Sequence, residues 1–301
     1  MVKEKAILTL MIGELYWEFF RFAPHIIWKR QKQLLDPSIK FIICSREDRF
    51  DIYGSVADIL VPLRIDGDND RYIQNGFRLN DYPQDEYDNL VNNLYRQFED
   101  RYDIIDFVKA PMNGKEYVNK NYYSKHEMRY VYLPREENNN LINKHVPQDK
   151  PIVVLAPRFR KKLKRNWINW EQFYNDILNS DLSNHFLFVI CGKKPDYIED
   201  KRFFDINNIP LNEHSSLIGL TIELLKKSIL TVGSQSAIPN ISSLLKTEVL
   251  EWGDQKDYHV VTYNIFSNKI TYIEDPKYNI SSEIIMSKMK EILEKWRTKN
   301  E

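Results

Sequence analysis

The stretch that most constrains this chain is ILTVGSQSAIPNISSLLKTEVLEWG, residues 229–253. Ile229 to Val232 reads as a short apolar strand, and Gly233, Ser234, Gln235 and Ser236 as a tight turn of small polar residues. A helix is expected from Ala237 to Leu245 and a second strand from Glu248 to Trp252. Such a unit belongs to a parallel sheet, because parallel neighbours need a crossover and a helix is the usual one. Where a strand feeds a helix through a Gly/Ser turn, the first helical N–H groups have no partner within the helix. Together with the helix dipole they favour an anion, such as a phosphate. The same residues also read as an ordinary turn, with Ser234 or Ser236 as N-cap and Gly233 as the turn glycine.

The alternation recurs along the chain. KAILTLMI (Lys5 to Ile12), Gly13-Glu14 and the aromatic-rich LYWEFFRFAPHIIWKRQKQLL read as strand, turn and helix, with Pro24 as an interruption. Strands are expected at Lys40 to Cys44 and Ile59 to Leu63, then a polar Asp/Asn-rich loop from Arg64 to Pro83. A helix from Gln84 to Arg101 carries Tyr87, Leu90, Val91, Leu94, Tyr95 and Phe98 on one stripe. Tyr102 to Val108 and Met128 to Leu133 read as further strands. Residues 134–151, with prolines at both ends and an asparagine run, have the composition of a linker.

After Pro151 the pattern starts afresh with IVVLA, a basic loop, a helix from Trp170 to Leu178, FLFVIC, and a helix from Leu217 to Lys227. VVTYNIF and KITYI follow the opening stretch. The final helix, Ser282 to about Arg297, has Ile285, Met289, Ile292, Leu293 and Trp296 on its apolar face. At 301 residues the chain suits two domains. The expected division is residues 1–142, residues 150–280 and a C-terminal helix over 281–301.

Forty-three basic and forty-three acidic residues leave a formal charge of +0, so no overall field drives the chain onto nucleic acid or an anionic membrane. Cys44 and Cys191 each end an apolar run and read as small buried hydrophobes rather than a disulfide or zinc site. No segment approaches the roughly 18 apolar residues that span a bilayer. A soluble, cytoplasmic protein in a reducing compartment is expected, with peripheral membrane association left open.

Four features bear on chemistry. APRFRKKLKRNW places Arg158, Arg160, Lys161, Lys162, Lys164 and Arg165 in one strand-to-helix loop. At the carboxyl end of a parallel strand such a loop meets the crevice where α/β sheets bind ligands, and it suits a diphosphate; a solvated loop and a nucleic-acid contact are the alternatives. Glu14, after the first strand, can act as a general base if aromatic neighbours raise its pKa, or can simply complement a helix dipole. Asp66 to Asp70 fails the calcium pattern, with Arg71 where Gly is needed and Phe77 where the bidentate Glu is needed. The six histidines show no metal-ligand spacing, and the chain has no GxSxG, P-loop or GxGxxG motif.

Taken together, these stretches resemble glycosyltransferases of the GT-B fold, and most closely the lipopolysaccharide heptosyltransferase-like family. VVLAPRFRKKLKRNWINWEQF looks like that family's strand, basic loop and tryptophan-led helix. SLIGLTIELLKKSILTVGSQSAIPNISSLLKTEVLEWG looks like its helix, strand, small-residue turn, helix and strand, and MIGELYWEFFRFAP like its first strand and Gly-acid turn. The family turn more often reads with Asp, Ser, Gly and His, so the sequence here departs from it. The resemblance implies two facing Rossmann-like domains, an interdomain cleft and a C-terminal helix crossing back to the first domain. It also implies transfer of a sugar from a nucleotide-sugar to an acceptor hydroxyl of a saccharide or glycoconjugate. Arg158, Arg160, Lys162, Arg165, Gly233, Ser234, Gln235 and Ser236 would hold the donor and Glu14 would be the base, with neither metal nor cofactor. A modified DNA base as acceptor, a non-catalytic nucleotide-sugar-binding protein, and an epimerase or hydrolase of the same fold are the alternative readings.

Overall fold

The computed structural model describes residues 3–12, 18, 22–23, 26, 30, 36, 38–53, 56–63, 84–109, 136–158, 166–192, 202–212, 215–254 and 268–300. The chain divides into two compact units, Met1–Arg135 and Glu136–Glu301.

In the first unit, β1 (Glu4–Leu10), β2 (Lys40–Ser45), β3 (Ile59–Pro62) and β4 (Tyr102–Lys109) form a parallel sheet in the order β3-β2-β1-β4. Residues Ala6 to Leu10 and Phe41 to Ser45 are buried without alternation, as strands covered on both faces must be. The helix α1 (Gln84–Glu99) lays Tyr87, Leu94 and Phe98 against Ala6, Leu8, Leu10 and Ile42, with Leu90 and Val91 at the margin. Tyr95, expected on that stripe, is instead 38% exposed. Asp85 and Glu86 in the first turn and Arg96 in the last complement the helix dipole.

Among the described residues, the second unit has a six-stranded parallel sheet of β5 (Ile152–Ala156), β6 (Leu187–Ile190), β7 (Phe203–Asp205), β8 (Ser228–Ser234), β9 (Glu248–Gly253) and β10 (Ile270–Glu274). Its order is β10-β9-β8-β5-β6-β7. The chain therefore builds outward from β5 in one direction, then returns and builds outward in the other, and the reversal falls between β5 and β8. Its helices are α2 (Glu136–His145), α3 (Trp170–Leu178), α4 (Leu182–His185), α5 (Leu217–Lys227), α6 (Ala237–Leu244) and α7 (Ser282–Asn300).

Val153, Leu155, Leu230, Val232, Leu250 and Trp252 face α3 and α7 in one apolar cluster. Thr231, of opposite parity on β8, makes a 2.7 Å hydroxyl bond with Ser242, which puts α6 on the other face. Cys191, buried beside Thr221 of α5, has its thiol pKa pushed up to about 12 by burial, as has Cys44; both are free. Both behave as the small hydrophobes their apolar runs suggested.

The segment expected as a linker is largely the helix α2. Glu136 and Glu137 open it, Lys144 and His145 close it, and Asn138 and Ile142 are buried. Its charge order suits the helix dipole, which outweighs the linker-like composition. The division accordingly falls at 135/136. The final helix has its packing partner within its own unit. Ile285, Met289, Ile292 and Leu293 sit in the same cluster as Trp170 and Phe173, and Trp296 meets Phe186 edge-on at 6.2 Å. The Ser282 hydroxyl donates to Asp176 of α3 at 2.7 Å. Each fully buried Ile, Leu or Met is worth about 1.5–3 kcal/mol, enough to hold α7 in place.

Candidate functional site

A doubly wound parallel sheet binds ligands beyond the carboxyl ends of its strands, at the point where strand order reverses. In the second unit that point lies between Ala156-Pro157-Arg158, leaving β5, and Gly233-Ser234-Gln235-Ser236, leaving β8. Ala156, Gly233, Glu251 and Tyr272 form one lateral row across β5, β8, β9 and β10. Gly233 must be glycine because a Cβ there would stand 2.9 Å from both Cβ and O of Ala156 and 3.2 Å from Pro239. Its absence lets β5, β8 and the start of α6 close on one another.

Gly233 and Ser234 belong to β8, so the turn proper is Gln235-Ser236. Gln235 N–H continues the ladder by donating to Trp252 O at 2.8 Å. Its side chain lies over Gly253, where a Cβ would come within 2.3 Å of Oε1. Oε1 accepts from Asp254 N–H at 3.1 Å, Tyr278 O–H at 3.2 Å and Tyr272 O–H at 3.3 Å. Tyr278 O–H also reaches Asp254 Oδ1 at 3.0 Å, so its one proton is shared between two acceptors. Tyr278 is 2% exposed and adopts the left-handed region at φ 53°, a conformation costly for a bulky residue and held here by these bonds. The Gln235 carbonyl accepts from Arg158 Nη1 at 2.7 Å, bridging the β5 and β8 ends.

Ser236, extended at φ −160°, is the N-cap of α6 but makes no side-chain cap bond. Its N–H donates to Glu251, a wholly buried carboxyl whose pKa burial pushes up to about 8 against the lowering effect of that bond. The amides of Gln235 and Ser236 are thus engaged inside the turn. Ala237 and Ile238, the first helical residues, lack intrahelical acceptors by geometry. Among the described residues, Ser234 Oγ and Trp252 Nε1, a cross-strand pair, are buried without hydrogen-bond partners.

At the carboxyl edge of the first sheet, Glu18 is fully buried. One oxygen accepts from Tyr53 O–H at 2.8 Å and from Ser45 O–H, and the other pairs with Arg49 Nη1 at 2.6 Å. Ser45 ends β2, and Arg49 lies in the 3-10 helix Glu47–Ile52 that follows.

Of the sequence-derived site residues, Arg158, Gly233, Ser234, Gln235 and Ser236 are brought together at the switch point. Glu14, Arg160, Lys162, Arg165 and the 66–70 loop lie outside the described residues. Gln235 presents its carbonyl, not its side chain, to Arg158. Glu251, Asp254, Tyr272, Tyr278 and Glu18 were not singled out from sequence; a glutamate inside the apolar strand EVLEWG was the one available signal. Among the described residues, no cluster of three His, Cys, Asp or Glu could hold a metal ion, and no helix is long and apolar enough to cross a membrane.

No family model and no curated protein sequence matches the chain. Solved structures do. A glycosyl transferase family 9 protein from Veillonella parvula aligns over 97% of this chain and 98% of its own at TM-score 0.60 and 10% identity. The ADP-heptose LPS heptosyltransferase II of E. coli aligns over 97% and 99% at TM-score 0.59 and 12% identity. E. coli heptosyltransferase WaaC with ADP aligns over 95% and 99% at TM-score 0.52 and 11% identity. This chain has their fold. The architecture is therefore GT-B, with two α/β units in succession, as the heptosyltransferase-like stretches implied.

Proposed function

We propose that the protein is a glycosyltransferase that takes a sugar from a nucleotide-sugar and passes it to an acceptor hydroxyl of a saccharide or glycoconjugate. The observation that carries this reading is the meeting of Arg158 with the Gly233–Ser236 turn at the strand-order reversal of the second sheet. A guanidinium and the start of a helix, set at one crevice, stabilise the negative charge of a departing diphosphate. Arg160, Lys162 and Arg165, following Arg158 in the chain, would add to that field. The donor would bind the second unit, and Glu14, after the first strand of the other, would take the acceptor proton. With the charge supplied by the protein, transfer needs no metal ion.

The fold supports the reading, since the similar structures named above include an ADP-heptose transferase and one holding ADP. The test is a thermal-shift screen with UDP-, GDP-, ADP- and CMP-sugars, followed by transfer assays with the ligand that stabilises. One nucleotide-sugar should raise Tm, and Arg158→Ala should shrink that rise at the same ligand concentration. Glu14→Gln should keep donor binding and lose transfer. Failure of every nucleotide-sugar to bind would overturn the proposal, and transfer at the native rate by Glu14→Gln would remove Glu14 as base.

A further inference from the structure

We infer that Gln235 is a positioning residue for the diphosphate site, one that acts through Arg158 and not by touching the ligand with its own side chain. The inference rests on the glycosyltransferase reading above and deepens it. Four observations converge on this residue. The residue is 2% exposed and its side chain packs where Gly253 leaves no Cβ. Its Oε1 gathers Asp254, Tyr272 and Tyr278, from the end of β9, from β10 and from the turn after it. Its N–H is fixed by Trp252 O. Its carbonyl, the remaining polar group of the backbone, then points at Arg158 Nη1 at 2.7 Å.

The consequence is mechanical. The ends of β8 and β9 and the middle of β10 are joined at one side chain, and the orientation of the residue's own carbonyl follows from that joint. A carbonyl is a neutral acceptor, so this bond orients the guanidinium at the crevice without cancelling its charge. An acidic acceptor in its place would hold Arg158 equally well and oppose an anionic ligand. A guanidinium held in advance also loses less freedom on binding than one that must be ordered by the ligand.

Inorganic pyrophosphate is the probe, measured by calorimetry on the full chain with Gln235→Met, Arg158→Ala and the double variant, each checked for native circular dichroism. Gln235→Met keeps the volume and removes the acceptor. Each single variant should weaken pyrophosphate about tenfold, and the double variant should be no weaker than Arg158→Ala alone, the non-additivity expected of residues acting as a unit. Losses that add in the double variant would overturn the inference, because a purely structural effect of Gln235 would persist without Arg158. A second readout needs no ligand: phenylglyoxal labelling of Arg158, followed by mass spectrometry, should quicken several-fold in Gln235→Met. If the native protein fails to bind pyrophosphate, the diphosphate reading falls while the labelling still decides whether Gln235 holds Arg158. Unchanged labelling overturns the inference, whatever pyrophosphate does.

Discussion

Each sheet is tied at its carboxyl edge by one buried side chain that gathers three donors, yet the two ties differ in charge. Glu18 in the first unit is an anion matched by Arg49 at 2.6 Å with Ser45 and Tyr53 beside it. Gln235 in the second is a neutral amide that gathers Asp254 N–H and two tyrosines. The arginine in the first unit pairs with a carboxylate, so that contact contributes to holding the fold together. The arginine in the second bonds a neutral carbonyl, a contact that does not itself offset its charge. Similar positions in two similar sheets thus carry an ion pair in one unit and a neutral tie in the other, and the proposed diphosphate site draws on the second.

The largest effect that could break this contrast is on stability. Arg49→Met should cost about 3–5 kcal/mol in urea unfolding, because it strands Glu18 as a buried charge. Gln235→Met strands only neutral donors and should cost about 1–3 kcal/mol. Equal losses would mean that charge is not what separates the two ties.

Gln235→Glu sharpens the contrast by making the second tie resemble the first. Without a cation beside it among the described residues, a buried carboxylate at this position should cost about 3–5 kcal/mol, as stranding Glu18 should, while pyrophosphate affinity falls by more than about tenfold. Unaltered affinity in a folded variant would argue that charge at this position is irrelevant to the site.

Glu251 tests how a buried acid behaves when burial outweighs its bonds. Its pKa rises from 4.5 in the unfolded chain to about 8 in the folded one. The native state therefore binds more protons than the unfolded state between those values. Stability should fall as pH rises through that window, by at most about 1.4 kcal/mol per pH unit, and level off above it. Glu251→Gln should flatten the difference between unfolding free energies at pH 5.5 and 7.5; an unchanged slope would show that Glu251 is not the titrating group.

The smallest expected effect concerns Ser234. Its hydroxyl is buried with no partner among the described residues, so Ser234→Ala should leave stability unchanged or raise it by up to about 1 kcal/mol, as read by urea midpoint. A loss of pyrophosphate affinity in the same variant would place that hydroxyl on the ligand.

Much of the architecture was legible locally. The helices at Trp170–Leu178 and Leu217–Lys227 match their expected bounds because apolar spacing and flanking polar residues agree there. The β7 strand was missed, because Phe203–Asp205 is too short to show alternation. The α2 helix was missed because an asparagine run hides a helix that buries Ile142 and carries acidic residues in its first turn and basic residues in its last. At the site, small residues between β8 and α6 marked the turn, and the charge density after β5 marked Arg158. Glu251 lay within an apolar run, where only the strand period sets it apart from Leu250 and Trp252.

By itself the sequence determined that this chain alternates strand and helix around parallel sheets, since hydrophobic period, glycine and turn chemistry are local properties. It also placed an anion-favouring turn and a basic loop at the ends of two strands. Only the tertiary structure decided what the turn residues do. The lateral order β10-β9-β8-β5 sets Gly253 beneath Gln235 and Arg158 across from its carbonyl. Those neighbours are far apart in sequence, and which strand lies beside which is settled by packing both faces of the whole sheet, not by any one segment.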